Sequence, residues 1–447
     1  MDNKLAKEYK LGQLLEFSLP SIIMMMFVSL YTMVDGFFVS RYVHTDALSA
    51  INIIFPLQSA IMGVSIMFAT GGCAIVSFNQ GEKDMKKASQ NFTLINFACL
   101  LINFILIAIV FFNLKELAIF LQADEVILPY VMDYFIPLLL LQPLNTLQIL
   151  YQSFFISAGK PKLGLNLAIL GGIVNIVLDY IFILPLDMGI AGAAYATGIG
   201  YSIPAIIGII FFTKNKSGLH YMKFKLNLRV LKNSMINGSS EMVTNLSGSI
   251  INLLFNLFMM NFLGSDGVAA ITIVLYTQFL MIGLFLGFSM GISPIVSYHH
   301  GAGNIKYIKK LIRYSLSFTL VSSIIILILA FTSAPLLSSL FAGDNAHVAK
   351  LSEVGLRLFS ISFIFSGLNI FASGLFTALS NGFISALLSF SRTFIFTISG
   401  IFILSWLFDY NGLFLAVPVA EALCFILSFI MIHRFLKDKA LIPFFKK

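Results

Sequence analysis

Several acidic side chains interrupt long apolar stretches of the sequence, and we consider three of them first. Asp35 lies near the end of the run 17–39, and Asp179 lies within the run 164–185. A charge at membrane depth is costly, so such residues usually face a cavity and mark a pathway.

At 1.5 Å per helical residue, Asp35 and Asp179 lie about 27 and about 23 Å into their runs. Two carboxylates at similar depth could hold a proton or a hard cation. Alternatively, Asp35 ends its span in the headgroup region, and Asp179 is a structural aspartate bonded to a tyrosine or the backbone. The third, Glu421, lies within the run 411–433 and has no evident partner.

Other reactive residue types form no catalytic pattern. An enzyme needs a polar cluster, whereas His44, His220, His347 and His433 are scattered. The pair His299–His300 is predicted in a short loop without nearby cysteines or paired acids, and no phosphate-binding glycine loop is evident. The three cysteines lie in apolar segments and indicate core positions. We therefore expect no enzyme and no cofactor other than a coupling ion.

Composition indicates a helical membrane protein. The chain is 58% hydrophobic and 11% charged, whereas soluble domains have roughly 25% charged residues. Its apolar runs, about 20 residues long, are long enough for membrane-spanning helices. No cleavable signal is evident. Twelve spans are predicted, near 17–39, 51–78, 92–113, 129–157, 164–185, 190–212, 235–262, 270–298, 312–332, 352–379, 384–406 and 411–433.

The basic residues predict the orientation. Most of the 28 Lys and Arg residues fall before the first span, after even-numbered spans and in the tail. The long connection from Thr213 to Ser234 is the richest of these segments. An excess of Lys and Arg marks cytoplasmic loops, so both termini are expected in the cytoplasm and the protein in the plasma membrane. This alternation accounts for the net charge of +8 without a nucleic-acid partner.

The second half of the chain repeats the first with a shift of 220 residues. The segment from Asp46 to Ile51 matches that from Asp266 to Ile271, and the matches continue to Gly81 and Gly301. Two copies of six spans enter the membrane from the same side, as in transporters with parallel repeats. We predict two six-helix lobes, 1–220 and 221–447, that alternate access by rocking.

Several motifs, taken in order, resemble the MATE (multidrug and toxic compound extrusion) family over nearly the whole chain. They are Ser18-Leu19-Pro20, Val34-Asp35, Asp46-Ala47-Leu48-Ser49-Ala50, Asn175-Ile176-Val177-Leu178-Asp179-Tyr180, Gly189–Thr197 and Tyr298–Asn304. The segment Asn237-Gly238-Ser239-Ser240-Glu241 is similar to Gram-positive drug exporters of the DinF-like branch.

The resemblance assigns Asp35, Asn175, Asp179 and Thr197 to a cluster that binds Na⁺ or a proton. By counting, it adds Gln152, where the family often has Asn. Asn175 and Asp179 are four residues apart and share a helix face, and the cluster is rich in oxygen, as a sodium site requires. The alternative for Asn175 and Thr197 is hydrogen bonding between helices.

Two further charges are expected in the inner half of the second lobe. Glu241 lies near the start of span seven and Arg392 lies in span eleven. Either the two form a pair, or Glu241 contacts a cationic drug; Glu241 could also be an interfacial residue at a helix start. Asp35 and Glu241 are the predicted substrate-binding residues.

The resemblance implies a secondary active efflux transporter that exchanges Na⁺ or H⁺ for lipophilic, often cationic drugs. The alternatives are a lipid-linked sugar flippase of the wider superfamily or an integral-membrane enzyme. We expect a monomer whose partners are drugs and membrane lipid. The repeat places Phe255 at the position that matches Asp35, so this acid belongs to the first lobe alone.

Overall fold

The structure is a computed structural model that describes residues 4–43, 45–343 and 345–437. All regular elements of this part of the chain are helical. A 3-10 turn, Lys4–Ala6, comes first. The α-helices are α1 (Leu11–Tyr42), α2 (Thr45–Gly81), α3 (Met85–Phe112), α4 (Leu114–Phe120), α5 (Ile127–Ser157), α6 (Pro161–Ile183), α7 (Gly189–Lys214), α8 (Leu228–Gly301), α9 (Ile305–Ala342), α10 (Ala346–Ser360), α11 (Phe363–Ala378), α12 (Gly382–Phe390) and α13 (Ile398–Lys437), with a π-helix, Ser391–Thr397, between the last two.

The described helices account for all twelve predicted spans. Nine stretches are long and apolar enough to cross a membrane, and the pair α10 and α11, bent by 53°, makes a tenth. Two of the ten contain non-helical residues that divide them: Gly264 in α8, and Phe408 with Asp409 in α13. Gly264 has a φ of 63°, which glycine adopts without steric cost. Each break divides one stretch into two spans, so the ten stretches correspond to twelve membrane passes. The predicted fold class is confirmed.

Helix ends differ from the predicted spans mainly on the side of the polar loops. Helix α1 begins at Leu11, six residues before the predicted span, and α9 extends to Ala342 rather than to residue 332. The additional residues, 11–16 and 333–342, mix apolar and polar side chains and continue the backbone hydrogen bonding of each helix beyond the predicted span. The pair His299–His300, predicted in a loop, instead forms the last turn of α8 and is buried.

Following the sequence repeat, we describe α1–α7 as the first lobe and α8–α13 as the second. We call the end at which α1 begins and α13 ends the inner end, and the opposite end the outer end. The connection 215–227 packs on the first lobe: the Tyr221 hydroxyl lies 2.6 Å from that of Tyr151, and the Met222 amide donates to Thr93 Oγ1 at 3.1 Å. The predicted lobe limits remain a prediction, and residues 1–3, 44, 344 and 438–447 lie outside the described residues.

The lobes meet through glycines related by the repeat. A Cβ atom added to Gly81 would lie 2.0 Å from the carbonyl oxygen of Tyr298, and one added to Gly301 would lie 2.0 Å from that of Phe78. These two contacts exchange under the shift of 220 residues. The sequence repeat is therefore also a two-fold repeat of the packing between the lobes.

This packing loosens from the inner end towards the outer end. A Cβ at Gly238 would lie 1.9 Å from the oxygen of Met67, and one at Gly287 would lie 2.5 Å from the nearest atom of α1. Farther out, the nearest atoms are 3.2 Å from a Cβ at Gly63, 3.3 Å at Gly283 and 3.8 Å at Gly36. Among these contacts between the lobes, those of the inner half leave room for glycine alone, so the described parts of the two lobes are most tightly closed there.

Candidate functional site

Glycines hold α6 between α1 and α7 and so bring the predicted polar residues together. A Cβ at Gly172 would lie 2.6 Å from the Phe27 ring of α1. On its other side, a Cβ at Gly171 would lie 2.7 Å from the backbone oxygen of Gly200 in α7. Larger residues would separate these helices. Because of this close packing, polar side chains farther along the same helix faces can touch their neighbours.

The two carboxyl groups meet near the outer ends of α1 and α6. The side chains of Asp35 and Asp179 lie within hydrogen-bonding reach of each other. Asp179 is fully buried and Asp35 is half-buried. Two ionised carboxylates cannot donate to each other, so the pair needs a proton or a cation to be stable at this depth.

Asn175 and Thr197 complete the group predicted from the sequence. Asn175 Nδ2 donates to Thr197 Oγ1 at 3.4 Å, which joins α6 to α7. This is the helix–helix hydrogen bond that the alternative interpretation expected. It uses the amide nitrogen and leaves the amide oxygen of Asn175 without a partner.

Four buried oxygens in this group lack a hydrogen-bond donor among the described residues. They are Asp35 Oδ1, Asn175 Oδ1 and both carboxylate oxygens of Asp179. An unpaired buried polar atom costs about 1–3 kcal/mol, so a proton or cation bound here would relieve several such costs. Groups of three or more His, Cys, Asp or Glu side chains that suit a metal do not occur in the described part of the chain. Two carboxylates with neutral oxygens suit a proton or a monovalent cation such as Na⁺.

Four tyrosines near the carboxyl groups were not predicted. Tyr31, Tyr134 and Tyr201 lie within electrostatic range of Asp35, and the last two also reach Asp179. The fourth, Tyr276, comes from the second lobe, and its hydroxyl lies 3.8 Å from the position of a Cβ on Gly36. Tyr31 lies four residues before Asp35, so helical spacing alone could have indicated it.

The structure does not bring Gln152 to this group. Tyr134 marks the level of the carboxyl groups on α5, and Gln152 lies 18 residues farther along, or about 27 Å. Gln142 is closer, about 12 Å from Tyr134. It is buried, accepts from Asn145 Nδ2 at 3.4 Å and has an unpartnered amide nitrogen. Gln152 therefore lies outside the group of carboxyl, amide and hydroxyl side chains, and Gln142 is a buried amide of α5 that lies nearer to it.

The second lobe contains an ion pair that differs from the predicted one. Arg392 Nη2 and Nε lie 2.7 and 2.8 Å from Glu421 Oε1, and both side chains are largely buried. Arg392 therefore pairs with Glu421, the acid for which the sequence indicated no partner. Glu241 lies within electrostatic range of Arg392 without forming the predicted ion pair.

Together, these features define a class of protein: a polytopic helical membrane protein of two repeated lobes, with a buried acidic site in one of them. The MatE family model matches residues 20–181 and 242–403, one match in each lobe. The chain belongs to this family.

Two curated relatives and two solved structures extend the likeness to the whole chain. The multidrug export protein MepA of Staphylococcus saprophyticus is 22% identical over 96% of this chain and 95% of its own, and MepA of Staphylococcus aureus strain MRSA252 is 24% identical over 95% and 94%. The Vibrio cholerae MATE transporter VcmN has a similar fold (TM-score 0.90, 20% identity, 96% of this chain and 98% of that one). So does a MATE transporter in an outward-facing conformation (TM-score 0.89, 20% identity, 96% of each chain).

Proposed function

We propose that this protein is a secondary active transporter that exports lipophilic, often cationic drugs in exchange for inward Na⁺ or H⁺. The observation that carries the proposal is the pair Asp35 and Asp179, with four unpartnered oxygens in the group around it. The relatives described as multidrug export proteins support drugs as the substrate class. The protein acts in the plasma membrane, with its inner end in the cytoplasm, and as a monomer.

The coupling follows from the position of the acidic pair. Without an ion, the two carboxylates repel each other at a depth where water screens them poorly. A proton or Na⁺ removes this repulsion, draws α1 towards α6 and changes the contact of α1 with Tyr276 of the second lobe. A positively charged drug near Asp35 supplies the same charge. Ion and drug therefore compete, and each favours a different arrangement of the lobes.

Rocking of the lobes gives alternating access. The tight glycine contacts close the inner end, while the looser contacts farther out leave the outer end free to separate. Drug leaves outwards in this state. Ion binding at the acidic pair then favours the state in which the inner end opens, where Glu241 meets the next cationic drug.

Everted membrane vesicles test the proposal. Ethidium movement is recorded while a Na⁺ gradient and a pH gradient are imposed separately, which identifies the ion. We expect Asp35→Asn and Asp179→Asn to abolish the gradient-driven part. Asp133→Asn is the matched control, because Asp133 is exposed on α5. Undiminished efflux in both site variants would refute the proposal.

The flippase alternative makes a different prediction. A lipid-linked sugar carries phosphates, which require basic side chains in the central cavity. Of the two basic candidates within the second-lobe spans, Arg357 pairs with Glu353 at 2.8 Å and Arg392 pairs with Glu421. The first is a surface pair and the second is a buried pair, so neither arginine provides an unpaired base inside the second lobe, and we favour the drug exporter.

A further inference from the structure

The second lobe contains two acids and one base at its core. Glu421 is 2% exposed, and Arg392 binds it through both Nε and Nη2. Glu241 faces the same guanidinium from α8 at longer range. If all three are ionised, the group has one negative charge in excess. That excess lies on Glu241, because the guanidinium bonds only Glu421 among the described residues.

Glu421 is itself held in place from a third helix. Asn369 Nδ2 on α11 donates to Glu421 Oε2 at 2.7 Å and to the Glu421 carbonyl oxygen at 2.9 Å. Both carboxylate oxygens of Glu421 are therefore occupied, one by Arg392 and one by Asn369. This fixed geometry prevents the carboxylate from following Arg392 if the guanidinium turns towards α8.

Arg392 lies on the π-helix, which widens the backbone at this point. Thr397 Oγ1 donates to the carbonyl oxygen of Arg392 at 2.8 Å, across five residues. Short π segments inside α-helices occur frequently at functional sites. Here the segment sets the direction of the arginine and directs it to Glu421.

Glu241 lies beside the seam between the lobes. Its neighbours in α8 contact α2: Met242 Cγ lies 3.2 Å from the position of a Cβ on Gly63, and Gly238 packs on Met67. Opening of the inner end must separate these contacts and expose this part of α8. A carboxylate whose charge is not neutralised is then available to a cation that enters from the inner side.

We propose that Glu421 is a positioning residue, which keeps Arg392 away from Glu241 so that Glu241 can bind the cationic drug. The proposal rests on the proposed function, in which Glu241 receives drug. Without the Glu421 charge, the guanidinium turns to Glu241, its other acidic neighbour, and competes with the drug. Arg392 and Glu421 thus determine specificity without touching substrate.

Ethidium binding to the purified protein, followed by fluorescence polarisation, tests this inference through a double-mutant cycle. We expect Glu421→Gln to weaken binding about tenfold. In a Glu241→Gln background, Glu421→Gln should have no further effect, because the acid that Arg392 would neutralise is already absent. A merely structural role for Glu421 would give the same loss in both backgrounds and would overturn the inference.

Charge rescue provides the second measurement. Arg392→Gln combined with Glu421→Gln removes the competitor together with its anchor, so ethidium affinity should return to within about twofold of wild type. Failure of this rescue in a folded variant, judged by an unchanged elution profile, would also contradict the inference. An unchanged affinity in Glu241→Gln alone would overturn it while leaving ion coupling at Asp35 and Asp179 intact, since the vesicle assay with Asp179→Asn measures that coupling separately.

Discussion

Glycine at position 301 should control how firmly the inner end closes. A Cβ at Gly301 would lie 2.0 Å from the carbonyl oxygen of Phe78, so Gly301→Ala forces α2 and α8 apart. Overpacking of a well-packed contact typically costs about 1–3 kcal/mol. The cost falls on the state closed at the inner end and disappears when the lobes separate there. The ratio of closed to open molecules should therefore fall about 5- to 150-fold.

Double electron–electron resonance measures the distribution of distances between two spin labels, and this distribution gives the ratio of closed to open molecules. Lys86 and Lys306 are repeat-related and exposed at the inner end, and cysteines there accept labels while the three native cysteines are buried. We expect Gly301→Ala to add a longer distance to the distribution. Gly248→Ala is the matched control on the same helix, because a Cβ at Gly248 meets no atom within 4 Å. Identical distributions for the two variants would refute the idea that glycine contacts close the inner end.

Three further variants test single residues of the account. Glu241→Gln should lower resistance to ethidium at normal expression. The control Glu353→Gln, which removes the surface partner of Arg357, should not. Equal resistance in the two variants would exclude Glu241 as a drug contact. Gln152→Ala should leave ion-driven efflux unchanged, because Gln152 lies far from the carboxyl groups, and a loss in a normally folded variant would contradict its placement. Tyr134→Phe removes one hydroxyl within electrostatic range of the acidic pair. It should weaken the dependence of efflux on the coupling ion by less than the roughly 12-fold that a full hydrogen bond can supply, and an unchanged ion dependence would remove Tyr134 from the site.

The sequence alone was sufficient to predict the helical fold and its repeat. Apolar runs must be hydrogen-bonded internally in a membrane, so their number gives the number of passes. The shift of 220 residues likewise predicted a pair of lobes, and Gly81 and Gly301 exchange contacts as that symmetry requires. The apolar runs did not predict the helix ends, because a helix continues through mixed apolar and polar residues such as 11–16 and 333–342.

Part of the site could also be predicted, for a physical reason. A buried carboxylate is so costly that Asp35 and Asp179 stand out in apolar runs without any structure. Tyrosine carries no such cost and is common in these helices, so Tyr134 and Tyr201 were not recognised. Their role depends on which helix faces meet.

The pair of Arg392 and Glu421 shows a different limit. The two residues are 29 apart and are separated by the break at Asp409, so sequence spacing could not relate them. Charge and proximity in the predicted inner half favoured Glu241 instead. The predicted pair of Glu241 and Arg392 was therefore wrong. Both acids lie near the guanidinium of Arg392, and only the three-dimensional packing shows which of them it binds.

Drug-driven ion movement tests ion coupling at Asp35 and Asp179 most directly. Coupling between two ligands is reciprocal, so an ethidium gradient imposed across proteoliposomes should drive Na⁺ or H⁺ in the opposite direction. Wild type and Asp133→Asn should both show this flux, measured with an ion-sensitive dye inside the vesicles. Asp179→Asn should bind ethidium and show no drug-driven ion flux. A wild-type flux retained in Asp179→Asn would contradict the account.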